Sequence, residues 1–204
     1  MSDEGGNEGT GRERYAEVVK RIQKLPLDCR VLDVGFGAGL LPELAACDWY
    51  GLEISPRLVA NARERGLNAH VCDCDEAWRE TPSDYYDAVV LMNVLEHVEN
   101  PQHVLREAKR VLKSKGVVVG TVPYSVNLKR LFYERASFEK LKRVFTGFDD
   151  IRVYGKNELV FSLLREGLEP VVVKRVCRHL PLLRVELPFT PFLAVSLYFE
   201  ALKK

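Results

Sequence analysis

Gly35, Gly37 and Gly39 follow an apolar run that ends in Asp33 and Val34. Glycines so spaced let backbone approach a ligand closely and adopt conformations that side chains forbid. In an open α/β sheet, ligands bind beyond the carboxyl ends of the strands, where strand order reverses. The loop is therefore a candidate ligand cradle. Its spacing is G-x-G-x-G, and Leu40 stands where the dinucleotide fingerprint G-x-G-x-x-G puts its third glycine. No G-K-[ST] follows, which excludes a P-loop. A carboxylate at Asp33 sits awkwardly beside a pyrophosphate but suits a ligand that bears an ammonium. Glu53 and Asp73 each end a further strand-like run and could accept hydrogen bonds at the same edge.

The elements that must position these residues alternate along the chain. Cys29–Val34, Trp49–Ile54, Leu67–Cys72, Tyr86–Met92 and Val117–Val122 read as strands, and Tyr86–Met92 is apolar on both faces, as a central parallel strand requires. Between them, Leu40–Cys47 reads as a short helix. Ser55-Pro56 opens a second helix that Gly66 closes, and Asn100-Pro101 caps a third that runs to Lys113. Arg12–Lys24 carries one apolar stripe, Tyr15, Val18, Val19 and Ile22, at helical spacing. The repeated βαβ pattern predicts an α/β fold with a mostly parallel, seven-stranded sheet and helices on both faces. After Pro123 the pattern changes. Residues 124–150 read as a helical insertion after strand 5, Lys156–Arg165 as a helix closed by Gly167, and Leu168–Cys177 as a strand. Leu182–Leu187 reads as a last strand and Phe192–Leu202 as a terminal helix. Residues 1–11 read as a disordered tail, and 12–204 as a single domain.

From Arg30 to Pro123, and again near Ile151–Val173, the sequence resembles the class I S-adenosylmethionine-dependent methyltransferases, in their large small-molecule, methyltransferase-11-like branch. The residues that carry the resemblance are Val31-Leu32-Asp33-Val34-Gly35-Phe36-Gly37-Ala38-Gly39, Gly51-Leu52-Glu53-Ile54-Ser55, Tyr86-Asp87-Ala88-Val89-Val90 through Val94-Leu95-Glu96-His97-Val98, and Arg110-Val111-Leu112-Lys113 with Gly116-Val117-Val118-Val119. Four motifs stand in the expected order and spacing. The resemblance implies a Rossmann-like class I methyltransferase fold and S-adenosylmethionine as cofactor, leaving S-adenosylhomocysteine as product. That cofactor has an ammonium and a sulfonium and no phosphate, which agrees with Asp33. By the same resemblance, Glu53 would accept from both ribose hydroxyls and Asp73 from the adenine amine. The Cys72 and Cys74 backbone would flank the adenine edge. The Gly35 carbonyl and Asp33 would hold the methionine ammonium, and Asn93 would lie under the methionine arm. Phe36, Gly37, Gly39 and Ile54 complete the implied cofactor set. Arg12, Arg14 and Tyr15 could reach the cofactor carboxylate, although ordinary helix surface explains them as well.

Methyl transfer needs an oriented acceptor, exclusion of water and, for a protic acceptor, removal of a proton. His97 is the candidate base. The competing reading is that Glu96-His97 only orders the turn before Asn100-Pro101. Some relatives carry E-x-x-E-H here as a metal site. This chain has Asn93 in the first position, which removes a charged oxygen ligand and argues against metal. The resemblance implies a small-molecule acceptor, and the absence of the [DN]-P-P-[YF] motif of nucleic-acid amine methylases disfavours nucleic acid. The acceptor atom (oxygen, nitrogen or carbon) is open. Residues 124–150 are rich in Lys, Arg and aromatics, which suits either an acceptor lid or an amphipathic helix.

Composition narrows the field without selecting a function. The formal net charge of the 204 residues is +1, which points to no polyanionic partner. The five cysteines have no C-x-x-C pair, which argues against a disulfide framework or zinc and for free thiols in a reducing compartment. No apolar run is long enough to span a bilayer. A cytoplasmic monomer or homodimer is expected. Two other function classes remain: a non-catalytic, methyltransferase-like binding subunit, and a nicotinamide-dependent oxidoreductase, against which Leu40 and Asp33 both count.

Overall fold

The computed structural model describes residues 8–124, 152, 154–177 and 194–204. Its sheet has seven strands: β1 (Arg30–Val34), β2 (Asp48–Glu53), β3 (Asn68–Val71), β4 (Tyr86–Met92), β5 (Leu112–Pro123), β6 (Leu168–Cys177) and β7 (Ala194–Lys203). The described helices are α1 (Glu8–Ile22), α2 (Pro56–Glu64), α3 (Pro101–Val111) and α4 (Lys156–Arg165). The strand order is β3-β2-β1-β4-β5-β7-β6. Strands β1 to β5 are mutually parallel, and β7 runs antiparallel to both β5 and β6. The sheet is thus mixed, with one reversed strand.

Alternation along the central strands builds two cores. Val31, Ala88, Val90, Val117 and Val119 face one side and bury Val18 and Ile22 of α1. Leu32, Val34, Val89, Leu91 and Val118 face the other side and meet α3 through Val104, Leu105, Ala108 and Val111, and α4 through Leu159 and Leu163. Burying each such side chain is worth about 1.5–3 kcal/mol, so both faces of the sheet contribute. Helix α2 packs separately, with Val59 and Ala62 against Phe36 and Ala69.

Local signals place the helix starts as expected. The Ser55 side chain accepts from the Leu58 N–H, and the Asn100 side chain accepts from the His103 N–H at 3.0 Å, each followed by proline. Gly66 and Gly167 adopt left-handed φ just past α2 and α4.

Four expectations change. Helix α1 begins at Glu8, inside the segment read as tail. Leu40–Cys47 forms only a 3₁₀ turn, Leu41–Glu43. Pro42 suits a first turn, but the chain must enter β2 at Asp48, and the Trp49 indole takes the Ala45 carbonyl that a longer helix would use. Helix α3 stops at Val111, because β5 already begins at Leu112 and pairs it with Tyr86. The largest change is at the C-terminus, where the expected helix is strand β7. Leu197, Phe199 and Ala201 fill one core while Tyr198 and Leu202 join the other. A strand covered on both faces is apolar throughout, and no period separates it from a buried helix.

The expected strand at Leu182–Leu187 and almost all of the insertion at 124–150 lie outside the described residues. Tyr124, at the start of that insertion, bridges Tyr154 in parallel fashion. Among the described residues, no helix is long and apolar enough to cross a membrane.

Candidate cofactor and acceptor site

Because β1 to β4 are parallel, their carboxyl ends share one edge. The order reverses between β1 and β4, and the edge beside that switch point is where open α/β sheets have their ligand crevice. The loop after β1 lines it. Gly35, Gly37 and Gly39 all have left-handed φ, at 67°, 56° and 66°. A Cβ on Gly39 would lie 2.9 Å from Leu67 and 3.1 Å from the Phe36 ring, whereas a Cβ on Gly37 would meet nothing within 4 Å. Gly37 therefore borders open space. Phe36 anchors the loop by laying its ring on Gly51, where any side chain would collide with it at 2.7 Å.

Glu53 binds this loop directly. Its Oε2 accepts from the Gly37 N–H and its Oε1 from the Ser55 N–H, both at 3.0 Å. One bond per oxygen leaves a further acceptor site on each. Asp33 is 4% exposed, and no described residue hydrogen-bonds its carboxyl. Burial, helped by the nearby Glu53 charge, pushes that carboxyl up to about 8 from its ordinary 3.8. Two acids and an open backbone cradle fit a ligand that carries positive charge and a vicinal diol. S-adenosylmethionine has both, so the residues present suit it.

The other sequence-expected residues gather along the same edge. The Cys72 N–H donates to the Glu53 carbonyl at 3.0 Å, tying the end of β3 to that of β2. Asp73 is exposed and its Oδ1 accepts from the Asp75 N–H at 2.9 Å. Burial pushes the Cys72 thiol up to about 11 and the Cys74 thiol to about 12, so both stay protonated at neutral pH. Ile54 is 62% exposed. Asn93 has left-handed φ, its N–H donates to the Thr121 carbonyl at 2.9 Å, and its Oδ1 accepts from the Thr121 hydroxyl at 2.6 Å. That orientation leaves the Asn93 amide NH₂ to donate elsewhere. Val94 presses on Gly35, with 3.0 Å between its Cγ2 and a Cβ placed there, so the loops after β1 and β4 touch. His97 is exposed on the turn after β4, and its N–H donates to the Val94 carbonyl at 3.0 Å. Glu96 beside it is fully buried.

Several supporting residues carried no signal in the sequence. Arg65, just past α2, donates to the Ala38 carbonyl at 2.6 Å and the Gly39 carbonyl at 3.1 Å while pairing with Glu43. Thr121 fixes Asn93. Helix α3 pins the β3–β4 connection: Glu107 accepts from the Trp78 N–H, Arg110 donates to the Trp78 and Thr81 carbonyls, and His103 meets the Glu76 carbonyl. A lone arginine or threonine has no motif; only the contact reveals it.

Comparison with known proteins agrees with this geometry. Residues 32–120 match the family described as Methyltransferase domain (Methyltransf_11). Over 97 residues the chain is 36% identical to a ubiquinone biosynthesis O-methyltransferase of Shewanella, covering 44% of this chain and 41% of that protein. The chain spans about two fifths of the length of such relatives. An S-adenosylmethionine-dependent methyltransferase structure from Mesorhizobium loti superposes with a TM-score of 0.71 at 20% identity, covering 96% of this chain and 100% of that one. A phosphoethanolamine N-methyltransferase from Haemonchus contortus, solved with S-adenosylmethionine, gives a TM-score of 0.71 at 16% identity over 96% of this chain and 53% of that one. Residues 32–120 thus match the Methyltransferase domain family, and the described fold is the one found in S-adenosylmethionine-dependent methyltransferase structures.

Proposed function

We propose that the protein transfers the methyl group of S-adenosylmethionine to an oxygen of a small-molecule acceptor. The observation that carries the cofactor half is the cradle itself, in which Glu53 holds the Gly37 amide beside open space and the Asp33 carboxyl is buried and, among the described residues, accepts no hydrogen bond. The choice of oxygen rests on relatives named O-methyltransferases. When bound, the cofactor supplies an electrophilic methyl on a sulfonium, whose sulfur keeps the bonding electron pair as the methyl leaves.

The chain's own residues do the rest. Glu53 accepts from the ribose hydroxyls through the acceptor sites its loop bonds leave free. Asp33 and the Gly35 carbonyl hold the ammonium, and Asp73 with the Cys72 and Cys74 backbone meets the adenine. Asn93 donates beneath the methionine arm. His97 takes the acceptor's proton, a role supported by its exposure on the turn after β4. Strand β5 ends on the same edge at Pro123, and Tyr124 beyond it bridges Tyr154. The remaining expectations belong to the same reading: a single domain, no metal, no nucleic acid, and a cytoplasmic monomer or homodimer.

The test is calorimetric titration with S-adenosylmethionine and S-adenosylhomocysteine, followed by turnover on a panel of phenols and catechols. Binding together with methylation of any panel member is the expected result. Folded protein that binds neither nucleoside would overturn the cofactor assignment, and binding with transfer only to amines would overturn the oxygen assignment.

A further inference from the structure

The turn between β4 and α3 carries His97 and has no helix or strand of its own over residues 93–100. Its backbone is nonetheless held from two sides by charged side chains distant in sequence. The Asp75 carboxylate accepts from the N–H of Glu99 at 2.8 Å and of Asn100 at 2.7 Å. From the other side, the Arg152 guanidinium donates to the carbonyls of Val98 and Glu99, the latter at 2.8 Å, and the Arg152 N–H donates to the Glu96 carbonyl at 3.2 Å. The Tyr154 hydroxyl adds a bond to the Leu95 carbonyl at 3.2 Å. Amide hydrogens meet an anion and carbonyl oxygens meet a cation, so the side-chain bonds from Asp75 and Arg152 are of the stronger, charge-assisted kind. Glu99 is gripped through both its N–H and its C=O.

Capping of α3 does not account for these contacts. The Asn100 side chain already caps the His103 N–H, and Pro101 has no N–H to satisfy. The bonds from Asp75 and Arg152 fall on the turn that precedes the helix. Asp75 also belongs to the segment that carries Asp73 and Cys74, and its N–H donates to Asp73. The grip therefore joins the adenine side of the crevice to the side where His97 stands.

We propose that Asp75 and Arg152 are positioning residues that hold the 94–100 turn between them and set where His97 stands relative to the cofactor crevice. The catalytic consequence rests on the methyltransferase reading; the grip itself does not. The conservative variants Asp75→Asn and Arg152→Lys test it in the full chain. Asn keeps a single acceptor oxygen, and Lys is a compact point donor that cannot serve two carbonyls as a planar fork does.

Each variant should retain its cooperative melt and its affinity for S-adenosylmethionine. The amides of Glu99 and Asn100 should exchange about tenfold faster while those of β4 keep their protection. The His97 ring resonances should shift. With a phenolic acceptor, turnover at saturating cofactor should fall about 100-fold, the usual cost of a displaced catalytic group, with KM for cofactor unchanged. Asp75→Glu, which restores the carboxylate, should recover part of that loss. Unchanged His97 resonances, or faster exchange spread evenly over the whole fold, would overturn the proposal. Wild-type protein that binds no cofactor would overturn the methyltransferase reading instead, and the exchange and His97 measurements would still decide the grip.

Discussion

The two walls of the crevice are built on opposite principles. On the cofactor wall, Asp33, the glycine loop and Glu53 lie within a short stretch of chain and position one another through backbone geometry and two carboxylate bonds. On the facing wall, the turn with His97 has no regular structure and depends on Asp75, Arg152 and Tyr154, which lie 24 to 59 residues from the groups they bind. A locally built wall can serve the same cofactor in many proteins. A wall held by distant side chains can be re-aimed by changing those side chains, which suits the half of a site that must distinguish acceptors.

The contrast can be broken most forcefully at Asp33. Its folded carboxyl ionises near 8, far above its ordinary 3.8. A carboxyl raised in this way contributes stability that is fully present below about pH 4 and is lost as pH rises to about 8, on the order of 6 kcal/mol across the window. Asp33→Asn should remove that slope from chemical-denaturation curves of the cofactor-free protein. It should also abolish the proton release that accompanies S-adenosylmethionine binding at pH 7, read by calorimetry in buffers of different ionisation enthalpy. A wild-type curve that is flat between pH 4 and 8 would contradict a buried acid on this wall.

Glu53→Ala comes next and should weaken S-adenosylmethionine binding by about 3 kcal/mol, because bonds of a charged acceptor are lost to both the loop and the ribose. His97→Ala tests the opposite wall. Turnover should drop about 100-fold while cofactor affinity stays at the wild-type value. Equal loss of both would mean that the two walls are not separable.

Smaller effects sharpen the picture within the loop. Gly39→Ala should cost about 2 kcal/mol of stability, since left-handed φ is compounded by contact with Leu67 and Phe36. Gly37→Ala should cost only the left-handed strain, about 1 kcal/mol, and register instead as lost cofactor affinity, because its methyl enters the open space. Arg65→Ala, which frees the Ala38 and Glu43 side of the loop, should be the mildest change, about threefold in cofactor affinity, in keeping with a half-exposed ion pair.

Much of the cofactor wall was legible in the sequence because its signals are local. Three glycines needing left-handed φ, an acid before them and a serine-proline helix start are each readable within a few residues, and Glu53 follows at the next strand end. Tyr86–Met92, Lys156–Arg165 and Leu168–Cys177 match their observed elements for the same reason, each being an uninterrupted run bounded by turn residues. Leu40–Cys47 misled because its composition favours a helix while the short span to β2 does not allow one. Thr121, Arg65, Asp75 and Arg152 were invisible, since nothing in the type of a single polar residue says which distant backbone it will meet.

The sequence by itself determined the left-handed glycine loop and the acid before it, since backbone conformation at Gly35–Gly39 and the type of acid beside it are properties of neighbouring residues. Only the tertiary structure decided that Phe192–Leu202 contributes a strand and not a helix, because burial on both faces erases the period that would distinguish them. It also decided what holds His97. A turn without secondary structure satisfies its backbone with whatever charges the fold brings to it, and here the fold brings Asp75 from one side and Arg152 from the other.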